Sequence, residues 1–309
     1  MGRNFFRGAW QLADPKLWIA SYIPVTLGII LAVASGFGGP ALTDLLWIGA
    51  AYVALALIET GKNGINEYID FISGVDPAVD EAHRTVFSGG KKTITSGLLG
   101  TREVLLITFL SFLAAGGVGF ALVWFKRPEL LPVGAAGAAI SILYSLPPFI
   151  LCYRGLGEPA VAFTYGPLIV SGGYLLIAGR LDVLPLLVSV PVGLIVGNIL
   201  VINEFPDYEA DKQGGKRNLV VRFGKRRAVL LYGFIFIAIY LSCLLPVLHT
   251  GSVAWLLPWL TVPLALRAYR NCRENYDNIG LLVASNAATV KIFALTGLLL
   301  IGATLLAGI

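Results

Sequence analysis

The sequence consists mainly of apolar runs, most of about twenty residues, separated by shorter polar segments. A helix needs roughly 20 residues to cross a bilayer, and backbone groups inside lipid must be hydrogen-bonded within their own segment. Hydrophobic residues make up 57% of the chain and charged residues only 13%, about half the charged share of a soluble domain. The alternating pattern of a membrane β-barrel is absent from the sequence. The chain is therefore predicted to be an all-α integral membrane protein.

Turn and charge signals divide the chain into nine predicted membrane helices, which form one domain over residues 1–309. The helices cover residues 17–36, 42–62, 102–124, 131–150, 160–179, 183–203, 227–247, 253–269 and 280–307. The eighth helix is short, and its two prolines are expected to bend it. The cysteines Cys152, Cys243 and Cys272 lack metal-ligand spacing and are expected to be inert thiols.

Positive charge is distributed unequally between the two sides of the predicted membrane. With the N-terminus in the cytoplasm, 19 of the 23 Lys and Arg residues fall on the cytoplasmic side and three on the far side. Cytoplasmic loops of membrane proteins carry such an excess. The polar first sixteen residues do not resemble a cleavable signal peptide. We therefore expect a protein of the inner or cytoplasmic membrane, with its two longest polar connections facing the cytoplasm.

A short polar motif occurs twice, at the start of the two longest predicted connections. Residues 65–70 read INEYID and residues 202–207 read INEFPD, 137 positions later. This separation equals about four helices with their loops. It indicates an internal duplication, with halves at about 17–150 and 160–270, a last helix at 280–307, and a pseudo-twofold axis along the membrane normal.

The residue types in this motif suit a hard cation. Asn66 and Asp70 are four residues apart, so they share one face of a helix, with Asn63 one turn earlier. Mg²⁺ prefers oxygen ligands, takes few carboxylates and usually shares a phosphate ligand. Each motif is followed by basic residues, which suit phosphate oxygens. The alternative is that the acids are solvated at helix ends and the basic runs face anionic headgroups.

Three further residues are candidates for substrate binding. Tyr144 and Arg154 lie at the predicted cytoplasmic mouth, where they would orient an aromatic acid or a phosphate. Their alternative roles are aromatic-belt anchoring and ordinary inside charge. Lys291 lies within the last predicted helix, where an ionisable residue is a functional candidate, with snorkelling to the surface as the alternative.

Taken together, these motifs resemble those of the UbiA superfamily of intramembrane aromatic prenyltransferases. The resemblance spans nearly the whole chain and is greatest to the MenA branch, which prenylates 1,4-dihydroxy-2-naphthoate in menaquinone synthesis. It rests on residues 63–76 (NGINEYIDFISGVD), 203–211 (NEFPDYEAD), 215–224 (GKRNLVVRFG) and 153–158 (YRGLGE). Glu67 departs from the family, which usually has Asp there. Either Glu67 reaches a metal, or it supports the site from outside the metal ligands.

The resemblance implies a nine-helix bundle around a central cavity, with the polar motifs at its cytoplasmic end. It implies Mg²⁺ binding by Asn66, Asp70, Asp76, Asn203, Asp207 and Asp211. Asp70, Asp207, Arg84 and Lys91 are expected to be catalytic, the last two as diphosphate contacts. Substrate binding is expected from Asn63, Tyr144, Arg154, Lys212, Arg217 and Lys291.

The predicted activity is transfer of a polyprenyl group from its diphosphate to an aromatic acceptor, with 1,4-dihydroxy-2-naphthoate favoured and its carboxylate lost as CO₂. The partners are these two substrates and the lipid bilayer, with no nucleic acid. Other possible acceptors are 4-hydroxybenzoate, homogentisate and a glycerol phosphate lipid. A transporter is the alternative from another class, because repeats and polar residues within spans also occur there.

Overall fold

The computed structural model describes residues 3–38, 42–78, 85, 87 and 90–309. Within these residues the chain is helical and contains no β-strand, so the predicted all-α architecture is confirmed. The α-helices are α1 (Arg3–Ala13), α2 (Ile19–Ala34), α3 (Leu42–Ile72), α4 (Val75–Ala78), α5 (Thr101–Ala121), α6 (Leu130–Leu143), α7 (Gly157–Phe163), α8 (Ile169–Ala178), α9 (Val183–Gln213), α10 (Leu219–Phe223), α11 (Lys225–Ser242), α12 (Leu244–Thr250), α13 (Val262–Asn275) and α14 (Ile279–Leu306).

Seven helical stretches in the described ranges are long and apolar enough to cross a membrane. They are Phe5–Ala34, Thr43–Ile72, Thr101–Lys126, Gly157–Ala178, Val183–Gln213, Lys225–Thr250 and Ile279–Leu306. The predicted fourth helix is shorter: α6 has 14 residues, about 21 Å at 1.5 Å per residue. The predicted eighth helix is a 3₁₀ segment, Val253–Thr261, followed by α13. Helix length therefore supports seven crossings directly, and the predicted nine are not established.

The predicted ends of two helices were wrong by about ten residues. The helices expected at 42–62 and 183–203 continue to Ile72 in α3 and to Gln213 in α9, each with 31 residues. Apolar side chains between the polar ones, such as Ile65 and Phe205, are buried in the bundle and stabilise the extra turns. Both polar motifs therefore lie on the last turns of long helices instead of in loops.

Small residues allow the helices to pack closely, as is common in membrane bundles. The backbones of α2 and α8 meet at Gly28 and Gly173. A Cβ added at Gly28 would come 2.1 Å from the Val170 carbonyl oxygen, and one at Gly173 would come 2.3 Å from that of Val25. This contact places α8, and the helical turns before it, against the interior of the bundle.

The core joins most of the helices, while many large apolar side chains point outward. Trp255, Tyr232 and Phe205 are among the largest side chains that are fully buried. Phe109 and Phe234, in contrast, are more than 60% exposed on the outer faces of α5 and α11. Such outward apolar faces are expected where lipid surrounds a bundle. The three cysteines are buried free thiols.

Candidate active site

The first polar motif lies on the last two turns of α3. Asn66 Nδ2 donates to Asp70 Oδ2 at 3.1 Å and lies 3.5 Å from Ser145 Oγ. The other oxygen of Asp70, Oδ1, accepts a hydrogen bond from the Tyr153 hydroxyl group at 2.8 Å. Burial and the negative charge of Asp70 raise the pKa of Tyr153, which keeps its phenol protonated and able to donate. The segment after α6 therefore holds Asp70 in a fixed orientation.

Lys216 connects the first motif with the second, which lies at the end of α9. Lys216 Nζ is 3.0 Å from Asp70 Oδ2 and 3.8 Å from Asp211 Oδ1. Asp211 Oδ2 also accepts a 2.7 Å hydrogen bond from Asn218 Nδ2. Burial alone would lower the pKa of Lys216, but the carboxylates of Asp70 and Asp211 outweigh it and hold that pKa well above its usual value. The two motifs thus meet around one positive charge at one end of the bundle.

Asp76 adds a further carboxyl group beside the first motif. Burial raises the pKa of Asp76 to about 8, and the nearby charges of Asp70, Glu67 and Asp207 contribute in the same direction. A Cβ added at Gly90 would come 2.4 Å from Asp76 Oδ2, so the chain approaches this carboxyl group closely. Crowded carboxyl groups in a buried site repel each other unless a proton or a cation is bound.

These donors fit a hard divalent cation that is shared with a phosphate. Within the described ranges, no group of three or more His, Cys, Asp or Glu residues is compact enough to hold a metal by itself. Mg²⁺ is commonly held by one or two carboxylates, with waters and substrate phosphates as its other ligands. The Lys216 ammonium group lies between acids of both motifs. It shows that these acids already surround a positive charge at this position.

Glu67 supports the site from behind instead of facing it. Its Oε1 accepts hydrogen bonds from the backbone nitrogens of Thr93 and Ile94 at 2.6 and 3.0 Å, and from Thr93 Oγ1 at 2.9 Å. Its Oε2 accepts from the Lys91 backbone nitrogen at 2.8 Å. The structure therefore favours the supporting role over metal binding, because both carboxylate oxygens hold residues 91–94 against α3.

Asn203 is held by a residue to which the sequence analysis assigned no role. Its Oδ1 accepts a 2.8 Å hydrogen bond from Nδ2 of Asn286, which also donates to the Ile202 carbonyl group at 3.1 Å. Asn286 is fully buried on α14. The sequence does contain a signal for this role: Asn286 is an amide side chain within an otherwise apolar helix, and such polar groups commonly join membrane helices.

Asn63 and Lys91 contact the N-terminal segment of the chain. Asn63 Nδ2 lies 3.2 and 3.3 Å from the carbonyl oxygens of Leu12 and Ala13. Lys91 Nζ forms a 2.8 Å ion pair with Asp14. Burial lowers the pKa of Lys91, and Asp14 offsets this only in part. Both residues are next to the site, but these side chains fix the end of α1 in the structure.

Four other residues that were predicted to bind substrate have exposed side chains: Arg154, Lys212, Arg217 and Lys291. Arg154 donates to the Pro148 carbonyl group, and Lys212 lies over the ring of Tyr208. In the ranges that the structure covers, none of the four has an ion pair with Asp70 or Asp211. Lys291 is on the outer face of α14, so its position does not support substrate binding. Arg84 lies outside the described residues.

Sequence reasoning missed Lys216 and Tyr153, although both lie in motifs that it singled out. Lys216 is one of several basic residues in the last turn of α9 and just after it, and composition does not distinguish it from Lys212 or Arg217. The chain turns at Gly215, which has a φ of 75°, and the Lys216 backbone nitrogen donates to the Asp211 carbonyl group at 2.8 Å. This turn directs the residue at 216 back into the site.

A central cavity of about 530 Å³ lies beside the site, between α2, α3, α5, α6 and the α7–α8 stretch. Tyr144, a predicted substrate-binding residue, lines it together with mainly apolar side chains. Only two charged residues of the described chain line it, Glu59 and Lys62. The cavity adjoins the polar motifs, since Lys62 is one turn before Asn66 on α3.

Residues 21–278 of the chain match the UbiA prenyltransferase family. The chain is 29% identical over 287 residues to 1,4-dihydroxy-2-naphthoate octaprenyltransferase of Bacillus subtilis, which covers 92% of this chain and 88% of the relative. It is 32% identical over 269 residues to the enzyme of the same name from Mycobacterium leprae, covering 85% and 87% of the two chains.

The fold is similar to that of a UbiA homolog from Archaeoglobus fulgidus solved with GPP and Mg²⁺ bound. The two structures superpose with a TM-score of 0.59 over 96% of this chain and 99% of the other, at 16% sequence identity. At this identity the likeness concerns the arrangement of the helices alone.

Proposed function

The chain belongs to the UbiA prenyltransferase family, and from this premise we propose that it transfers a polyprenyl group from polyprenyl diphosphate to 1,4-dihydroxy-2-naphthoate, in menaquinone synthesis. The observation that carries the proposal is the meeting of the two acidic motifs at Lys216, which lies within 4 Å of both Asp70 and Asp211. A site with paired acids and a buried ammonium group suits a diphosphate bound together with a divalent cation.

We propose Asn66, Asp70, Asp76, Asn203, Asp207 and Asp211 as the Mg²⁺ ligands. A bound Mg²⁺ ion would supply positive charge that stabilises the diphosphate as a leaving group. Support for this choice comes from their oxygen donors, from the UbiA homolog solved with GPP and Mg²⁺, and from the carboxyl groups crowded around Asp76.

The protein's own residues would act on the leaving group and on the reacting carbon. Lys216 is positioned to neutralise a diphosphate oxygen, and Tyr153 is positioned to donate a hydrogen bond at the same place. The bond between C1 of the prenyl group and its oxygen breaks, and the diphosphate leaves with the electron pair. The acceptor ring then forms a bond to C1 and loses CO₂ or a proton. The apolar cavity would hold the prenyl chain and exclude water from the allylic cation.

The acceptor is proposed from the similarity to the two naphthoate octaprenyltransferases. The test is an assay of the purified protein in lipid nanodiscs with labelled polyprenyl diphosphate, Mg²⁺ and single acceptors. We expect product with 1,4-dihydroxy-2-naphthoate and no product with 4-hydroxybenzoate, homogentisate or a glycerol phosphate lipid. Product with only one of the others would replace the proposed acceptor, and uptake into vesicles without product would support a transporter.

The same assay tests the site. Asp70→Ala and Asp207→Ala are expected to abolish Mg²⁺-dependent transfer while each variant still elutes as a folded protein in gel filtration. Glu129→Ala is the matched control, because Glu129 is an exposed acid three residues from Lys126, which pairs with Asp44 at the opposite end of α3 from the first motif. Unchanged turnover in both motif variants would contradict the assignment.

We propose that nine segments cross the membrane, with α6 and the 253–275 segment as the two short crossings, and that the site faces the cytoplasm. The excess of Lys and Arg on the side of the motifs supports this orientation. A duplicated four-helix unit would account for the two motifs, with halves at about 17–150 and 160–270. Single cysteines introduced at exposed Lys16 and Leu248, in a cysteine-free variant, test the orientation by labelling from each side of sealed vesicles.

A further inference from the structure

A buried polar cluster lies inside the central cavity, where the surrounding side chains are almost all apolar. It consists of Glu59 and Lys62 on α3, Tyr165 on the α7–α8 stretch, and Ser21 on α2. The sequence alone does not reveal this cluster, because Lys62 ends the predicted second helix and its partner Tyr165 lies 103 residues further along the chain. Ionisable residues within a membrane span are costly and usually serve a function.

Both oxygens of the Glu59 carboxylate accept hydrogen bonds from neighbouring side chains. Oε1 accepts from Ser21 Oγ and from the Tyr165 hydroxyl group, each at 2.5 Å, and Oε2 accepts from Lys62 Nζ at 2.6 Å. Glu59 therefore acts as a fixed counter-charge that holds the ammonium group of Lys62 and the phenol of Tyr165. Its side chain is only 7% exposed, against 26% for Lys62, so Glu59 is the less accessible of the two charged groups.

Lys62 is different, because one of its donors remains available. An ammonium group has three N–H donors. Within the described part of the chain, two of them are directed at Glu59 Oε2 and at the Tyr165 hydroxyl oxygen, at 2.6 and 2.5 Å. The side chain is 26% exposed and lines the cavity. The third donor is thus free to bind an acceptor atom of a molecule in the cavity.

The position of Tyr165 is fixed by an irregular helical turn. Residues Thr164–Leu168 form a π-helical segment between α7 and α8, a feature that is frequent at functional sites. Gly166 and Gly193 allow this segment to contact α9 closely: a Cβ added at Gly166 would come 2.7 Å from the Ser189 carbonyl oxygen. The bulge is therefore packed in place, and it directs Tyr165 toward Glu59 and Lys62.

The other polar side chains of the cavity are mostly occupied. Ser141 and Thr164 each donate to a carbonyl group one turn earlier in their own helices, Gly137 and Ala160. The cluster around Lys62 is therefore the polar end of an apolar chamber. It is one helical turn from Asn66, about 6 Å along the axis of α3, so a single aromatic ring system would reach from Lys62 toward the diphosphate site.

From this arrangement we propose that Lys62, held by Glu59 and Tyr165, binds the carboxylate of the aromatic acceptor and makes the protein selective for aromatic acids over the corresponding phenols. This inference rests on the proposed function and specifies which group of the acceptor is recognised. A charge-assisted hydrogen bond in an apolar chamber is strong and directional. Lys62 would contact the acceptor directly, whereas Glu59 and Tyr165 are positioning residues.

The test compares binding of two stable probes, 1-hydroxy-2-naphthoate and 1-naphthol, which differ by the carboxylate alone. Binding is measured by isothermal titration to the full-length protein in nanodiscs, so that no prenyl transfer is needed. We expect the wild type to bind the acid more tightly than the phenol by roughly ten- to hundredfold, the range of one hydrogen bond to a charged group.

Lys62→Met is the direct variant, but it leaves the buried Glu59 without its counter-charge, which is destabilising. The double variant Lys62→Met with Glu59→Gln removes both charges at once. In this double variant the preference for the acid over the phenol is expected to fall to about twofold or less. The single variant Lys62→Arg is expected to retain part of the preference, because it keeps the positive charge. Lys16→Met, at an exposed lysine outside the cavity, is the control and should keep the full preference.

Two outcomes would overturn the inference. One is a folded double variant that still prefers the acid as the wild type does. The other is an equal loss of affinity for both probes, which would indicate a damaged cavity instead of a lost carboxylate contact. Failure of the proposed function would give a different result. The wild-type protein would then still bind the acid selectively but would transfer no prenyl group to any aromatic acid.

Discussion

Lys216 and Asp70 are 146 residues apart in the chain, and their charged groups lie 3.0 Å apart. Both side chains are largely buried, at 16% and 5% exposure. The contact joins the end of α3 to the turn after α9, and Asp211 lies on the other side of the ammonium group at 3.8 Å. A site formed in this way depends on both halves of the chain, and its central residue is a base between acids.

Replacing Lys216 with Met is expected to impair catalysis strongly. The ammonium group is positioned to stabilise charge on the leaving diphosphate, and loss of one such group commonly lowers kcat by about 10²–10³-fold. Lys216→Arg is expected to retain part of the activity because the charge remains. Steady-state kinetics with varied prenyl diphosphate measure the effect. Lys126→Met is the control, since Lys126 is similarly buried and pairs with Asp44 at the end of α3 opposite the site. A kcat/KM for Lys216→Met within about threefold of the wild type would contradict this role.

Replacing Glu67 is expected to loosen residues 91–94, which its carboxylate holds against α3, instead of weakening Mg²⁺ binding directly. Glu67→Gln removes a charge that accepts four hydrogen bonds from residues 91–94. The loss is expected to lower the free energy of unfolding by about 1.5–3 kcal/mol. Hydrogen exchange at residues 91–94 should rise, and thermal unfolding should occur at lower temperature.

Glu67→Asp is the informative companion, because Asp is usual at this position in the family. Its side chain is one methylene shorter, so we expect it to lose part of the contacts with Thr93 and Ile94. An apparent Mg²⁺ affinity that falls in both variants while exchange at residues 91–94 is unchanged would indicate that Glu67 binds the metal after all.

The sequence predicts well what depends on local periodicity. The apolar runs predict the helices, and the four-residue spacing of Asn66 and Asp70 predicts their shared face on α3. It does not predict contacts across long separations, such as the hydrogen bonds of Glu67 to residues 24–27 positions later. Nor does composition select Lys216 over its basic neighbours, because the turn at Gly215 decides which of them points inward. Lys62 ends a predicted helix, and its hydrogen bond to Tyr165 joins residues 103 positions apart.

Replacing Gly28 with Ala is expected to destabilise the bundle. The new Cβ would come 2.1 Å from the Val170 carbonyl oxygen and 2.8 Å from the Tyr174 backbone nitrogen, so α2 and α8 would have to separate. Overpacking of this kind typically costs about 1–3 kcal/mol, measured here by thermal unfolding in detergent. Gly302→Ala on α14 is the matched control, because its added Cβ meets no atom of another helix within 4 Å among the described residues. Equal stability of the two variants would mean that α2 and α8 are not packed as closely as the structure shows.

From the raised pKa of Asp76 we predict how Mg²⁺ binding and the stability of the protein depend on pH. Burial and nearby carboxylates raise its pKa to about 8, so in the metal-free protein it is mainly protonated at pH 7. In the proposed site, Mg²⁺ would bind the ionised carboxylate and displace this proton. Its apparent affinity should therefore increase up to about tenfold per pH unit below pH 8 and level off above it. Without metal the sign for stability is opposite. The unfolded chain ionises this group near pH 4 and the folded one near pH 8, so stability falls as the pH rises between these values. Titrations from pH 6 to 9 with Asp76→Asn check both trends, and a variant with the same pH dependence as the wild type would exclude Asp76 as their cause.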